Sequence, residues 1–431
     1  MTAFPFLTTF DPPGSSEGTL DPLGLYQIAN QLAVQLVPAV RERMQRIRFL
    51  TAMAVGAFVT EGLDDDPQHR DASPYLVWEW MVVETFVRSM ADDPTIRGIP
   101  GILKSRRAIQ EYGYLDARSY LKTPRIFGFH GVYKRLAVHL GIVDVHLGRG
   151  PNAAGLVDAW ARDRGLDDID GAKSLFSSWR ETLRRGLAEK PPRTKPAWTN
   201  QAWADLAQAF APANAGTREK RYLRQLLLAT ADRPLGALPS IWKLREEFPD
   251  DAYSEEAIHN RLEHVAPSYG PLIRGIRAYE AFARSLRDAF DVLKTAAAGP
   301  DARGFSVTEI ASNEEFVVSV RGLSDRFDSA RQLLSGIDTT GLLLRNLFDE
   351  RFAVFEQPLE AGECALALCA HHESVQQRKS ADGKRPWFDR IGPQRIYIRH
   401  AYREDPRDIQ PGRYVHTYRG WPIQQFYSDL T

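Results

Sequence analysis

The sequence predicts a mainly α protein: a helical bundle with a winged-helix-like unit and a small β-containing element at the C-terminus. Three observations predict it. Apolar residues recur at helical spacing over most of the 431 residues, Gly and Pro cut these runs into helix-length pieces, and clean period-2 alternation is confined to few places, the best of them near the C-terminus. The 55 Lys+Arg balance 55 Asp+Glu, and 43% hydrophobic with 26% charged residues is a globular composition that excludes wholesale disorder. No apolar run reaches the ~20 residues that a membrane-spanning helix needs. Met1 to Phe6 lacks the basic start of a secretory signal. Cys364 and Cys369 cannot build a disulfide framework or a four-ligand zinc site. The expectation is a cytoplasmic chain with no membrane partner, no metal and no cofactor of its own.

Residues 1–20, rich in Pro, Gly, Ser and Thr without a period, read as an extended arm. Asp21 and Pro22 are a cap and a first helical position, and Leu25, Ile28, Leu32 and Leu36 follow at helical spacing. Pro38 breaks the pattern and starts a second helix running through Arg41 to Val59. After the polar turn Asp64-Asp65-Asp66-Pro67, Ser73-Pro74 starts a third helix, Tyr75 to Met90, apolar nearly all round and therefore buried. Helical pieces at 102–112 and 116–121, the segment 127–140, a short Gly-containing hairpin at 142–150 and a helix at 152–163 follow in winged-helix order, at about 92–165.

The helical region 21–188 ends at a Pro-rich linker, 189–197. Beyond it, 198–375 reads as a long-helix bundle. Its parts are short helices at 217–230, 238–248 and 254–265, a long one whose stripe runs from Leu272 to Leu293, a capping box Ser306-Val-Thr-Glu309, and long apolar runs at 316–337 and 342–369. The remainder, 376–431, is a basic β-containing element, with a strand at 394–402 paired to 413–419.

The strong enzyme signatures are missing: no phosphate-binding P-loop, no dinucleotide glycine motif, no H-E-x-x-H and no G-x-S-x-G. Glu79 and Glu84 interrupt the apolar third helix. Each must be paired or carry a raised pKa, as an active-site acid or as an ion-pair partner of Arg46 or Arg48. His371, His372 and Glu373 form the most enzyme-like cluster, a metal-dependent nuclease reading. Adjacent histidines on a helix point about 100° apart and do not readily share one metal.

The tail carries the better signal. Residues 378–419 hold eleven Lys/Arg against five acids, a surplus of six in a chain whose total is zero. Period 2 puts Arg395, Tyr397, Arg399 and Arg403 on one strand face, with Trp387 nearby for stacking. The second basic element is the winged-helix-like unit. There Lys134, Arg135 and Arg149, beside His130 and Tyr133, would meet phosphate in the manner of a recognition helix and wing.

Three stretches carry a resemblance. Asp21-Pro22-Leu23-Gly24-Leu25 with Pro38 and Arg46-Ile-Arg48, the segment Gly131 to Gly141, and Val375-Gln-Gln-Arg-Lys379 with Pro386-Trp387-Phe388 are similar to uncharacterised accessory proteins of bacterial anti-phage defence islands. That group often has Gly after the proline that follows the first helix; here Ala39 follows Pro38. The resemblance implies a subunit working beside helicase, nuclease or ATPase partners, and no reaction of its own. The expected function is a DNA-binding or DNA-sensing accessory subunit of a defence complex. The alternatives are a scaffold that assembles partners without touching DNA, and a divergent metal-dependent nuclease.

Overall fold

The computed structural model describes residues 21–63, 72–96, 98–121, 124, 128–194, 198–229, 234–248, 254–298, 304–339, 342–379, 383–391, 395–399, 402 and 413–431. The expected arm, the acidic turn at 64–67 and Arg403 lie outside the described residues. In chain order the helices are α1 (Tyr26–Leu36), α2 (Phe49–Thr60), α3 (Pro74–Ser89), α4 (Ile102–Tyr112), α5 (Phe129–His139), α6 (Ala153–Asp163), α7 (Lys173–Ala188), α8 (Asn200–Phe210) and α9 (Thr217–Leu228). They continue as α10 (Leu238–Glu247), α11 (Glu255–Val265), α12 (Gly270–Ala297), α13 (Val307–Ala311), α14 (Glu314–Val320), α15 (Leu323–Leu334), α16 (Leu344–Phe352), α17 (Ala361–Gln377) and α18 (Gly420–Leu430). The strands are β1 (Phe305–Ser306), β2 (Asp338–Thr339), β3 (Leu342–Leu343), β4 (Phe388–Ile391) and β5 (Arg395–Ile398). The architecture is mainly helical with a small antiparallel sheet, as the sequence predicts. Among the described residues no helix is long and apolar enough to cross a membrane.

The chain divides into two units, one built from Met1–Leu36 and Ser254–Tyr418, the other from Val37–Tyr253 and Arg419–Thr431. The Pro-rich stretch expected as a linker lies inside the second unit. There Thr194 donates its N–H to the Leu115 carbonyl at 2.9 Å, and Arg193 donates to the Gly186 carbonyl at 3.1 Å.

The second unit is organised around α3. Ser73 caps it by accepting the Leu76 N–H, Pro74 occupies the first position, and Trp78, Trp80 and Phe86 are fully enclosed. Helices α2, α4, α7 and α8 pack on it. Gly56 of α2 leaves room for the Trp78 indole, which donates to the Ala52 carbonyl at 3.0 Å; a Cβ at Gly56 would collide with that ring. Trp160, Phe176, Trp179 and Phe210 form an aromatic cluster with centroids 5.9–6.3 Å apart. Arg48 and Glu219, both buried, pair at 3.1 Å, and Thr51 donates to the same carboxylate at 2.6 Å.

The first unit is organised around α12, 28 residues long. Its stripe Ile273, Ile276, Tyr279, Phe282, Leu286, Phe290 and Leu293 is buried, and α1, α14, α15, α17 and β5 pack on it. Phe282 sits edge-on to Phe327, Phe348, Phe352 and Phe355.

Several local expectations are corrected. The second helix begins at Phe49, not at Pro38; before it, the Tyr133 hydroxyl takes the N–H groups of Gln45 and Arg46 at 3.1 Å each. Residues 116–121 are turns: the Asp116 carboxylate accepts the N–H groups of Arg118 and Ser119, an arrangement that competes with a helix. The run 316–337 breaks at Gly322, φ +68°, into α14 and α15. The run 342–369 breaks after Phe355, with Pro358 before α17.

The β5 strand exists, but its neighbours are β1 and β4, with Phe305 opposite Ile396 and Asp389 opposite Tyr397. Residues 413–419 form no strand. The buried Glu280 carboxylate holds them instead, accepting the N–H groups of Val415 and His416 at 2.5 and 3.3 Å and the Tyr418 hydroxyl at 2.6 Å.

Candidate nucleic-acid interface

The basic residues expected to contact phosphate fall in different units. Lys134, Arg135 and Arg149 are in the second, while Arg395, Tyr397, Arg399 and Trp387 are in the first.

Helix α5 carries Lys134 and Arg135, and its buried side is fastened at three points. At its start Gly128 has no side chain to cap with, and Glu79 of α3 supplies the cap. One carboxyl oxygen accepts the His130 N–H at 3.1 Å, and the other accepts the Tyr120 hydroxyl at 2.8 Å. A Cβ on Gly128 would strike that carboxyl, so glycine is what allows the approach. Among the described residues no cationic side chain pairs with Glu79. Burial pushes its pKa up to about 7, against the pull of these hydrogen bonds.

The middle of α5 is held by Tyr133, fully buried, through Gln45 and Arg46, and Phe129 stacks on Phe49 at 4.8 Å. At its end Asn152 donates to the Leu140 carbonyl at 2.8 Å, and Ile142 donates to Ala137 at 2.8 Å. Tyr133, next in sequence to the basic residues, is this anchor.

The ion pairing expected for the acids of α3 is also redistributed. Arg46 pairs with Asp429 at 2.7 Å and Arg48 with Glu219, while Glu84 pairs with Arg88 one turn along at 2.6 Å and accepts the Thr194 hydroxyl.

On the outer side of α5, Lys134 is half-buried and Arg135 exposed, and neither has a side-chain partner among the described residues. Val132, buried on the same helix, lines a cleft of about 770 Å³. Ile96, Ile99 and Ile102 give that cleft apolar walls, and Arg43, Lys104 and Arg106 a basic side. The hairpin expected as a wing is a single bridge, Val143 to Arg149. Its turn is closed by Asp144, which accepts the N–H groups of His146 and Gly148. The Arg149 guanidinium pairs with Glu61 and lies 4.8 Å over the Phe58 ring, so it is committed within the fold.

The C-terminal sheet is differently balanced. Burial alternates along β5, with Arg395 and Tyr397 half-exposed and Ile396 and Ile398 buried. Arg395 lies 3.5 Å from Glu309, and Arg399 grips Asp389 with two nitrogens at 2.8–3.2 Å. Trp387 stacks on Tyr402 at 4.8 Å, with Lys294 5.6 Å from its ring centre. These side chains are largely occupied with each other.

His371 and His372 fasten the chain entering α1 to α17. His371 Nε2 meets the Leu23 carbonyl at 2.8 Å, and His372 Nδ1 meets that of Pro22 at 2.8 Å. His372 Nε2 accepts the Trp387 N–H at 2.9 Å, so both nitrogens of that ring are used. Burial lowers the pKa of both, His372 to about 4, which keeps the rings neutral. Glu373 is half-buried beside them. Both rings, expected as candidate metal ligands, are engaged in hydrogen bonds within the fold. Among the described residues no group of three His, Cys, Asp or Glu is placed to hold a metal ion. Burial also pushes the thiols of Cys364 and Cys369 up to about 11 and 12, far from reactive thiolates.

No family model, no curated protein and no solved structure matches this chain.

Proposed function

We propose that the chain binds nucleic acid through α5 of its second unit, as an accessory subunit of a multi-protein anti-phage defence complex. One observation carries the binding reading: Lys134 and Arg135 have no acidic partner among the described residues, on a helix whose other side is anchored by Glu79 and Tyr133. Unpaired cations on a rigid element meet phosphate without first giving up an internal ion pair, and the released counterions drive binding. Arg149, Arg395 and Arg399 already face carboxylates and contribute less. The defence setting rests on the resemblance carried by residues 21–25, 131–141 and 375–388.

Fluorescence anisotropy of the full chain with a mixed-sequence DNA duplex, at about 50 and 200 mM salt, tests this reading. Wild type should bind with a clear salt dependence. Lys134→Glu combined with Arg135→Glu should weaken binding at least tenfold and flatten the salt slope by about 2, since each phosphate contact contributes roughly 0.9. Unchanged binding in that variant overturns the assignment.

A scaffold reading draws on one feature, Leu103 of α4, 72% exposed at the mouth of the apolar cleft beside α5. A stable complex with a partner subunit, lost in Leu103→Asp and formed without any DNA affinity in the isolated chain, would favour it.

A further inference from the structure

We propose that the first unit holds a binding site for a small organic phosphate of nucleoside-monophosphate size, in a cavity of about 560 Å³ along one face of α12. That volume lies within the roughly 300–1,000 Å³ of ligand pockets. Ala281 and Ser285, both small, form part of the floor, and α11, α14, α15 and the segment at 413–414 contribute the walls.

The charges lining the cavity do not all find partners. Of its four acids, Glu280 is consumed by His416, Tyr418 and two backbone N–H groups, and Asp288 by Arg284. Glu256 and Glu315 lie in the first turns of α11 and α14, where the positive helix end stabilises a carboxylate. Of the four arginines, Arg277 reaches Glu263 at 2.5 Å and Asn260 at 2.6 Å, and Arg284 reaches Asp288.

Two cations remain. Among the described residues Arg326 donates only to neutral oxygens, the Ser285 hydroxyl at 2.9 Å and the Arg321 carbonyl at 2.7 Å. It also sits four residues into α15, close to that helix's own positive end, where a lone cation is disfavoured. Arg413 is exposed and has no side-chain partner among the described residues. An anion placed between them satisfies both and answers the helix dipole. A phosphate suits a guanidinium because two N–H donors meet two oxygens side by side.

The rest of the lining selects what the phosphate is attached to. Tyr414 offers a half-buried aromatic ring, and Val318, 54% exposed, an apolar patch, so a flat ring such as a nucleobase has a place to lie. Glu256 and Glu315 repel additional negative charge, which favours a monophosphate over a triphosphate. This site is separate from α5 and stands or falls independently of nucleic-acid binding.

Isothermal titration of the full chain with AMP, adenosine, inorganic phosphate and ATP tests the proposal. AMP should bind, with adenosine and inorganic phosphate each at least tenfold weaker and ATP weaker than AMP. Arg326→Ala with Arg413→Ala should lower AMP affinity at least tenfold with the circular dichroism spectrum unchanged. Should that double variant fail to fold, Arg413→Ala alone, at an exposed residue outside any helix, should still weaken AMP several-fold. No AMP binding at millimolar concentration overturns the proposal, as does AMP affinity unaltered by either variant, adenosine binding as tightly as AMP, or ATP binding more tightly.

Discussion

Glu79 reaches from α3 to the first turn of α5 and accepts the backbone N–H of His130 at 3.1 Å, so one buried carboxyl caps a helix from another element. Its pKa is raised from 4.5 to about 7, with burial the main cause. The folded protein therefore keeps a proton that the unfolded chain has already lost. The stabilisation is fully present below about pH 4.5 and is lost as pH rises to about 7, a change of at most roughly 3 kcal/mol. Glu79→Gln keeps an acceptor for His130 and removes the titration. Urea unfolding of the second unit between pH 4.5 and 8 should show wild-type stability falling with pH and a flatter profile in the variant. Parallel profiles would refute this.

The first unit should respond to acid in the opposite sense. Burial lowers His259 to about 3 and His372 to about 4, from 6.5. The unfolded chain takes up protons on these rings that the folded unit excludes. Stability is thus retained above about pH 6.5 and lost as pH falls towards 4. Proton NMR of the histidine rings, followed with Trp387 fluorescence, should show His372 still neutral at pH 5. A ring titrating near 6.5 in the folded state contradicts the buried arrangement.

Arg48 and Glu219 are an ion pair removed from water, so deleting one partner strands the other. Glu219→Ala should cost about 3–5 kcal/mol in second-unit stability. Arg48→Met with Glu219→Leu, which removes both charges and keeps volume, should cost much less than the two single changes together. Additive losses in the double-mutant cycle would show that the two groups do not act as a pair.

Ala39 adopts φ +65° and is buried in the turn where Val40 donates to the Pro38 carbonyl at 2.8 Å. An L-residue pays roughly 1–2 kcal/mol in this left-handed region, whereas glycine pays mainly unfolded-state entropy of about 0.5–1 kcal/mol. Ala39→Gly should therefore stabilise the second unit by up to about 1 kcal/mol, read as a higher urea midpoint with unchanged slope. The turn thus favours a residue without Cβ at this position.

What was legible in the sequence is what depends on near neighbours. The apolar surround of α3, its Ser73-Pro74 start, the Ser306–Glu309 capping box, the stripe of α12 and the alternation of β5 all appear as expected. Helix α8 is legible too, in Thr199 before Trp203, Leu206, Ala207 and Phe210. Helix α18 was not, because its leading Arg419 at φ +72° and its Pro422 resemble a turn.

Partnerships across the chain had no local signal. Arg48 finds Glu219 at a separation of 171 residues, Arg46 finds Asp429 at 383, and β5 pairs with a two-residue strand about ninety positions earlier. Composition marks the basic candidates. Which of them already faced a carboxylate depended on those same distant pairings.

The clasp between His371 and the Leu23 carbonyl spans 348 residues. At roughly 5–20 residues per second of synthesis, α1 leaves the ribosome some 20–70 s before the helix that receives it. Until α12 and α16 have emerged, its apolar face, Ile28, Leu32 and Leu36, lacks its native cover from the first unit. A nascent chain stalled before α12 should accordingly recruit a chaperone at α1. One stalled after α17 has emerged should release it, so a helix made early waits for partners from far later in its unit.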